Sequence, residues 1–444
     1  MNENTFGLPR QLDDGLLLRW ATAADNKEIA DFNVRVHSND IENPAEFLRH
    51  WTNDLISDYH PTCSPADFTV VVDENDGGKI VSSMNLISQT WSYDGIPFAV
   101  GRPELVGTDP DYRRRRLVRY QFDAIHAKSE ARGEFVQAIT GIPWFYRQFG
   151  YEMCVNLGGS RHYYWEKQKP VADYHEETYT LRDATEADLP VLDELYGRFC
   201  QTSPLSRPRD NAQWHYELFT ANRESPYCRN VKMVENQSRQ VVGYFEFAQW
   251  RAFMAVREIA VQEGQSLREI ALFICRALKA EADKRNEDRE EPINRIHFEL
   301  GEAHPLYEAL DWELDKLIPP YSWYMRVADL PAFLLQIAPA LDKRLAKSVM
   351  AGFSGTKKVG FYSSAIEITW ENGRLQQVQP YPLKTREEGD LNFPDHTFLQ
   401  LLFCHRSLSE LDRMFADCYA KDGDSFVLFN ALFPKRPSLL VPLG

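Results

Sequence analysis

Four consecutive arginines, Arg113 to Arg116, follow an apolar stretch, Val106-Gly107-Thr108, and a turn at Asp109-Pro110. Leu117 and Val118 then open a helical pattern, and Arg119 adds another guanidinium. A helix start is the positive end of the backbone dipole, so cations gathered there oppose it. A bound anion reverses the sign, because free backbone N–H groups and guanidinium groups together make a phosphate site. A solvated basic face is the plainer reading of the same run. The chain has no G-x-S-x-G elbow, HExxH, GxxxxGK[ST] or GxGxxG run, so hydrolase, zinc protease and P-loop chemistry lack support.

The elements around the arginines follow from periodicity and turn residues. Phe68 to Val72 reads as a strand, Asn75-Asp76-Gly77-Gly78 as a turn, and Ile80 as the start of the partner strand. A second turn falls at Tyr93-Asp94-Gly95, and Glu104 to Thr108 reads as a short strand. Val118, Phe122 and Ile125 recur at helical spacing, with Gly133 as the C-terminal cap. Val136 to Thr140 is a further strand. The region is thus helix plus a mostly antiparallel meander, ending in β-α-β.

Two stretches echo each other. Leu18-Arg19-Trp20-Ala21-Thr22-Ala23-Ala24-Asp25 matches Leu181-Arg182-Asp183-Ala184-Thr185-Glu186-Ala187-Asp188, as LRxATxAD. Each copy reads as a strand end, a Thr/Asp helix start and an amphipathic helix. Pro143 to Glu152 and His304 to Glu313 echo at nearly the same offset. A duplicated unit of about 150–160 residues explains both. In the second copy Val241 to Phe247 and Val256 to Val261 are strands, a helix runs through Ile270, Phe273 and Leu278, and Asn286 to Pro292 is a charged loop. Trp165 to Pro170 reads as a linker. A third region begins near Val327 with a helix holding Phe333, Leu334, Ile337 and Leu341. A hairpin follows, from Ala365 to Trp370, through the Asn372-Gly373 turn, to Leu375 to Val378.

Bulk properties narrow the function classes. Of the 444 residues 43% are hydrophobic, enough for several cores, so disorder is a poor reading of the whole chain. The net charge of −15 disfavours nucleic acid and an anionic membrane face, and mildly favours cationic substrates such as amines. Cys63, Cys154, Cys200, Cys228, Cys275, Cys404 and Cys418 are scattered, which predicts free thiols and a reducing compartment. His60 and Cys63 lack a second ligand pair, so no metal is expected. The first residues carry no signal-peptide pattern, and no apolar run approaches the ~20 residues that span a bilayer. A soluble, cytoplasmic protein is expected.

The arginine run with its flanks resembles the GNAT acetyltransferase superfamily, whose pyrophosphate loop reads Arg/Gln-x-x-Gly-x-Gly/Ala. Arg113-Arg114-Arg115-Arg116-Leu117-Val118 stands in that frame. Val106-Gly107-Thr108, the run through Arg119, and Phe145-Tyr146-Arg147-Gln148-Phe149-Gly150-Tyr151 resemble the enhanced-intracellular-survival branch. So do Leu401 to Ser407 and Leu432-Phe433-Pro434. The resemblance implies a mixed α+β fold of two tandem GNAT units and a sterol-carrier-like α/β domain. The regions are residues 1–165 (catalytic, acetyl-CoA binding), 175–326 (a degenerate GNAT-like copy) and 327–444.

The resemblance also implies an activity: transfer of acetyl from acetyl-CoA to a primary amine of a small cationic or peptide substrate. No metal, nucleic acid or membrane is involved, and the branch forms hexamers. Val106, Gly107, Thr108, Arg113, Arg114, Arg115, Arg116, Leu117, Val118 and Arg119 then hold the cofactor. Tyr146 is the proton donor, since a phenol of pKa about 10 is protonated at neutral pH. The terminal carboxylate, here of Gly444, is the base. Tyr151 and Tyr307 are structural. Arg116 departs from the family's central glycine; an arginine there can keep a helical φ and clasp phosphate, or can fill the groove. The second copy reads Val261-Gln262-Glu263-Gly264 at the corresponding place, which suits no anion. The alternative function is a catalytically silent scaffold that binds or regulates.

Overall fold

The computed structural model describes residues 5–38, 40, 42–168, 176–250, 252–385 and 388–440. The chain forms two compact units. One comprises Met1–Val155, Asn222–Ser225 and Trp323–Arg436; the other comprises Asn156–Ala221, Pro226–Ser322 and Pro437–Gly444.

The main sheet of the first unit has the strand order Arg10–Gln11, Leu16–Trp20, Phe68–Asp73, Lys79–Tyr93, Ile96–Thr108, Val136–Ile139, Tyr321–Val327, Glu152–Leu157. Pairing is antiparallel from Leu16–Trp20 through Ile96–Thr108, and then parallel onto Val136–Ile139. A parallel pair needs a crossover, and the Leu117–Ala131 helix supplies it. Its Phe122 and Ile125 bury against Met84, Leu86 and Ile139. Gly133, at φ 73°, follows the helix end in the left-handed conformation that suits glycine.

Asp94 and Gly95 close the long hairpin with φ of 44° and 87°, the two-residue geometry that matches strand twist. Glu104 to Thr108 is not a separate short strand. It is the end of the thirteen-residue strand Ile96–Thr108. The sequence concealed this because a bulge interrupts the alternation: Leu105 has φ 51° and the register shifts between Ser83 and Asn85.

The two sequence echoes adopt one local structure. Asp25 accepts the Thr22 N–H at 2.7 Å and grips Arg19 through both carboxylate oxygens at 2.7 and 2.8 Å. Asp188 accepts the Thr185 N–H at 2.8 Å and grips Arg182 at 2.7 Å through each oxygen. In both, Thr and Asp form a reciprocal cap ahead of the helix.

The sheet of the second unit runs Arg161–Tyr164, Arg295–Phe298, Met254–Val261, Val241–Gln249, Val231–Asn236, Tyr179–Asp183. Met254–Val261 and Arg295–Phe298 are parallel, joined through the Leu267–Asn286 helix. Ile270, Phe273, Ile274 and Leu278 from that helix meet Phe245, Val256 and Phe298 in the core.

The C-terminal part of the first unit carries its own sheet, in the order Arg374–Pro380, Ser364–Glu371, Gly355–Phe361, Leu391–Phe393, Tyr419–Ala420. The expected hairpin is there, turning at Asn372 (φ 50°) and Gly373 (φ 76°). The single helix expected before it is broken into Leu330–Gln336 and Ala338–Ala346 at Ile337. Pro339 is the cause: it has no N–H to continue the first helix, yet fits the first turn of the second. Phe333, Leu334, Ile337 and Leu341 are all buried.

Candidate functional site

The arginine run lies ahead of the helix rather than in it. Pro110–Tyr112 forms one tight turn, and the helix starts at Leu117. Arg114 has φ 66°, and Arg116 has φ 60° and ψ 16°. The reading of Arg116 as helical is therefore corrected. It takes the left-handed shape that glycine adopts without cost, at about 1–2 kcal/mol for a residue with a Cβ. Left-handed residues in alternation turn successive N–H groups toward one concave side, the geometry that binds anions. Arg116 is the N-cap and makes no side-chain cap bond, and the first helical turn holds no acidic residue. The start of this fifteen-residue helix keeps its positive character.

All four arginine side chains are exposed. The Arg115 guanidinium stands 3.4 Å from Asp14 Oδ2 and 5.1 Å over the Tyr112 ring. Arg119 donates to Gln148 Oε1 at 3.0 Å and lies 5.2 Å over Phe149. Val118 borders the aromatic cluster of the helix. The Leu117 side chain packs the other way, with Leu18 and Val71, so only its backbone is at the loop.

A slot opens beside this loop. Ile96–Thr108 and Val136–Ile139 pair only at Val100↔Val136 and Gly101↔Gln137. Beyond that the two strands part: the second keeps Tyr321–Val327 on its far edge, while the bulge at Leu105 bends the first. Val106, Gly107 and Thr108 form the wall that has lost its parallel partner. On their other edge Ser83 pairs with Gly107, and Ser82 Oγ donates to the Gly107 carbonyl at 2.8 Å.

Tyr146 sits in this slot on the turn Phe145–Phe149. It is 5% exposed and packs with Met84, Ile139 and Tyr324, bordered by Val106 and Val118. Gly141 has φ 132°, and a Cβ there would come 3.3 Å from the Tyr146 hydroxyl. Among the described residues that hydroxyl has no hydrogen-bond partner. Burial and the nearby Glu104 charge push its pKa above the usual phenol range. Tyr151 differs: it is fully buried and bonded to His126 Nε2 at 2.8 Å.

Glu104 escaped the sequence reading. It is the acidic residue inside the run Arg102-Pro103-Glu104-Leu105-Val106, opposite Asn85. Its carboxylate pairs with Arg102, which is 1% exposed and lies 4.9 Å over the Trp323 ring. Burial raises the Glu104 pKa, with Arg102 opposing. Asn33, Ser83 and Asn85 are fully buried, and one oxygen of each has no partner among the described residues. The legible signal was a charged residue and two amides inside otherwise apolar strands and helices. Gly444 lies outside the described residues.

The second unit has the same strand divergence but different contents. Tyr307, the echo of Tyr146, is saturated: it donates to the Phe298 carbonyl at 2.7 Å and accepts from the Leu300 N–H at 3.1 Å. Arg209 pairs with Glu258 at 2.8 Å and with Glu217 at 3.0 Å, all buried. At the helix start Ser266 accepts from the Glu269 N–H at 3.2 Å, so that terminus is already capped by its own residues.

Among the described residues no cluster of His, Cys, Asp and Glu could hold a metal ion. His60 Nδ1 accepts the N–H groups of Thr62 and Cys63 at 3.2 and 3.0 Å, so the HxxC pair forms a turn. All seven cysteines are free. No helix among the described residues is long and apolar enough to cross a membrane.

No curated protein matches the chain. Solved structures match nearly its whole length. A GCN5-related N-acetyltransferase from Kribbella flavida superposes with a TM-score of 0.67 at 16% identity, over 96% of this chain and 98% of that one. One from Anabaena variabilis gives 0.66 at 12% identity, over 96% and 99%. Eis1 from Mycobacterium abscessus gives 0.59 at 13% identity, over 95% and 98%. At such identities the likeness concerns the fold. The family described as Acetyltransferase (GNAT) domain matches residues 33–154. That span holds the bulged strand, the arginine loop, its helix and Tyr146, so it is this part of a mixed α+β chain that is similar to the Acetyltransferase (GNAT) domain.

Proposed function

We propose that the protein transfers acetyl from acetyl-CoA directly to a primary amine of a small cationic or peptide substrate. The observation that carries this reading is the Tyr146 hydroxyl, without a hydrogen-bond partner among the described residues, beside a left-handed arginine loop at a helix start with no side-chain cap bond. These residues fit the cofactor. The N–H groups and guanidinium groups of Arg113 to Arg116 suit its pyrophosphate, and the unpaired edge at Val106 to Thr108 suits its amide-bearing arm.

Bound there, acetyl-CoA supplies an acetyl thioester. A C–N bond forms to the amine, and the C–S bond breaks. Tyr146 gives its proton to the departing sulfur. A phenol raised by burial stays protonated through neutral pH. The amine proton passes to a carboxylate, and Glu104 and the Gly444 terminus are the two candidates. Glu104 is supported by its burial, its raised pKa and its coupling to Tyr146.

We further propose that residues 175–326 are a degenerate GNAT copy without cofactor, in keeping with the saturated Tyr307 and the capped Ser266 helix start. Residues 327–444 are proposed as a sterol-carrier-like domain, and the working protein as a cytoplasmic homo-oligomer, a hexamer by resemblance.

Calorimetric titration of acetyl-CoA, followed by amine-dependent thiol release, tests the reading. Micromolar binding with thiol release supports it. Absence of both makes the protein a silent scaffold.

A further inference from the structure

The second unit contains a cavity of about 360 Å³ where its parallel strands diverge. Met254–Val261 and Arg295–Phe298 pair as far as Val256↔Phe298 and then separate. Ile259 and Val261 form one wall, Leu300 the other, and Leu195 and Phe199 of the Leu189–Thr202 helix the floor. Leu439 closes the open side. Its N–H donates to Ser203 Oγ at 3.3 Å, and its side chain lies 3.4 Å from where a Cβ of Gly301 would stand.

The charged groups around the cavity lie at its exposed rim. Arg198 is paired with Glu194 at 2.5 Å, and Glu302 accepts from Asn156 at 3.0 Å. His304 bridges the two walls: Nδ1 accepts the Leu306 N–H at 3.1 Å, and the ring is hydrogen-bonded to the Ile259 backbone. Burial lowers its pKa to about 4, so at neutral pH it is an uncharged strut. The helix start at the cavity's end is capped by Ser266 and flanked by Glu263, with no arginine run. Such a start offers a phosphate fewer free N–H groups than the uncapped start at Leu117. What the divergence leaves is an apolar interior with the charged Arg198 and Glu302 exposed at its rim, at the small end of ligand-site volumes.

We propose that this cavity binds a small uncharged apolar molecule, with Leu439 as its movable wall. The site is separate from the Tyr146 slot and does not depend on the acetyl-transfer reading. An uncharged ligand follows because an ionised one would bury its charge without a partner. Leu439 is the wall able to move because, among the described residues, one hydrogen bond from its N–H and side-chain contact hold it, whereas the other walls belong to a strand, a helix and the core.

The probe is N-phenylnaphthylamine, a neutral dye that brightens in apolar surroundings, titrated into the full chain at neutral pH. Saturable one-to-one binding is expected. Val261→Trp, which fills the cavity from a half-buried position, weakens it by about tenfold or more. Ala303→Phe is the second filling variant, chosen because Ala303 is an exposed lining residue outside the core. Leu439→Asp, which puts a charge in the wall, weakens binding as well. Melting curves confirm that each variant is folded. No saturable binding to the wild type, or equal binding to folded Val261→Trp and Ala303→Phe variants, overturns the proposal.

Discussion

Glu104 faces Asn85 directly across the antiparallel strand pair. A carboxyl only 13% exposed and a buried amide whose oxygen lacks a partner among the described residues thus share one face of the sheet. Glu104 already accepts from Arg102, so the unmatched acceptor of the two is the Asn85 oxygen.

Glu104→Gln is expected to lower thiol release by about 10²-fold or more if Glu104 takes the amine proton. In the wild type activity should fall as pH drops through the raised Glu104 pKa, because the carboxylate is the active form. The glutamine variant should lose that acid limb. Stability moves the other way. A carboxyl whose folded pKa is raised adds stability below its ordinary value, and that contribution is lost as pH rises through the folded value. Melting curves across that window should show a smaller pH dependence in Glu104→Gln. Equal pH–rate profiles would instead point to the Gly444 terminus, which a chain ending at residue 440 tests.

Tyr146→Phe and Tyr307→Phe should part company. The first removes a hydroxyl without a described protein partner, so stability changes by less than about 0.5–1 kcal/mol. Turnover should fall by about 10²-fold or more while acetyl-CoA binds as before. The second removes a hydroxyl with two backbone bonds and should cost about 1–3 kcal/mol with turnover unaffected. Chemical denaturation and thiol-release kinetics separate the two.

Arg116→Gly relieves a left-handed residue of its Cβ. The folded state should gain about 0.5–1 kcal/mol net of the extra freedom of the unfolded chain. Acetyl-CoA binding should persist, since the backbone already has the required shape. Loss of binding in that variant would show that the Arg116 side chain, rather than the loop, holds the phosphates.

In the second unit, Arg209→Met strips a partner from both Glu217 and Glu258. Both carboxylates are buried; Glu217 keeps Arg207 at 3.1 Å and Glu258 keeps the Tyr244 hydroxyl at 2.6 Å, but losing the guanidinium they share should still cost about 3–5 kcal/mol. Denaturant titration measures it.

Local patterns were legible where local physics decides. The LRxATxAD echo announced its Thr–Asp caps, and Asn372-Gly373 announced its hairpin. The arginine loop was found by composition, but its backbone was misjudged, because side-chain identity does not reveal φ when the surrounding turn imposes it. Glu104 was missed because strand membership hid its burial, and the helix break at Ile337 was missed because the apolar spacing runs on unbroken past Pro339. Sheet membership was the least legible. Arg161–Tyr164 follows Glu152–Leu157 in sequence yet pairs with Arg295–Phe298, while Tyr321–Val327 joins the sheet of residues far behind it. No short window of sequence encodes such distant pairings.

The insertion of Tyr321–Val327 between Val136–Ile139 and Glu152–Leu157 bears on how the chain is made. A ribosome that has released the first 160 residues has supplied two strands but not the one that joins them. Both wait with open edges, about 8–30 s at ordinary elongation rates, until the joining strand emerges. The N-terminal unit is therefore completed after synthesis of the region that follows it. Expression of residues 1–165 alone should yield an aggregating fragment, rescued by supplying the Tyr321–Val327 strand at its end.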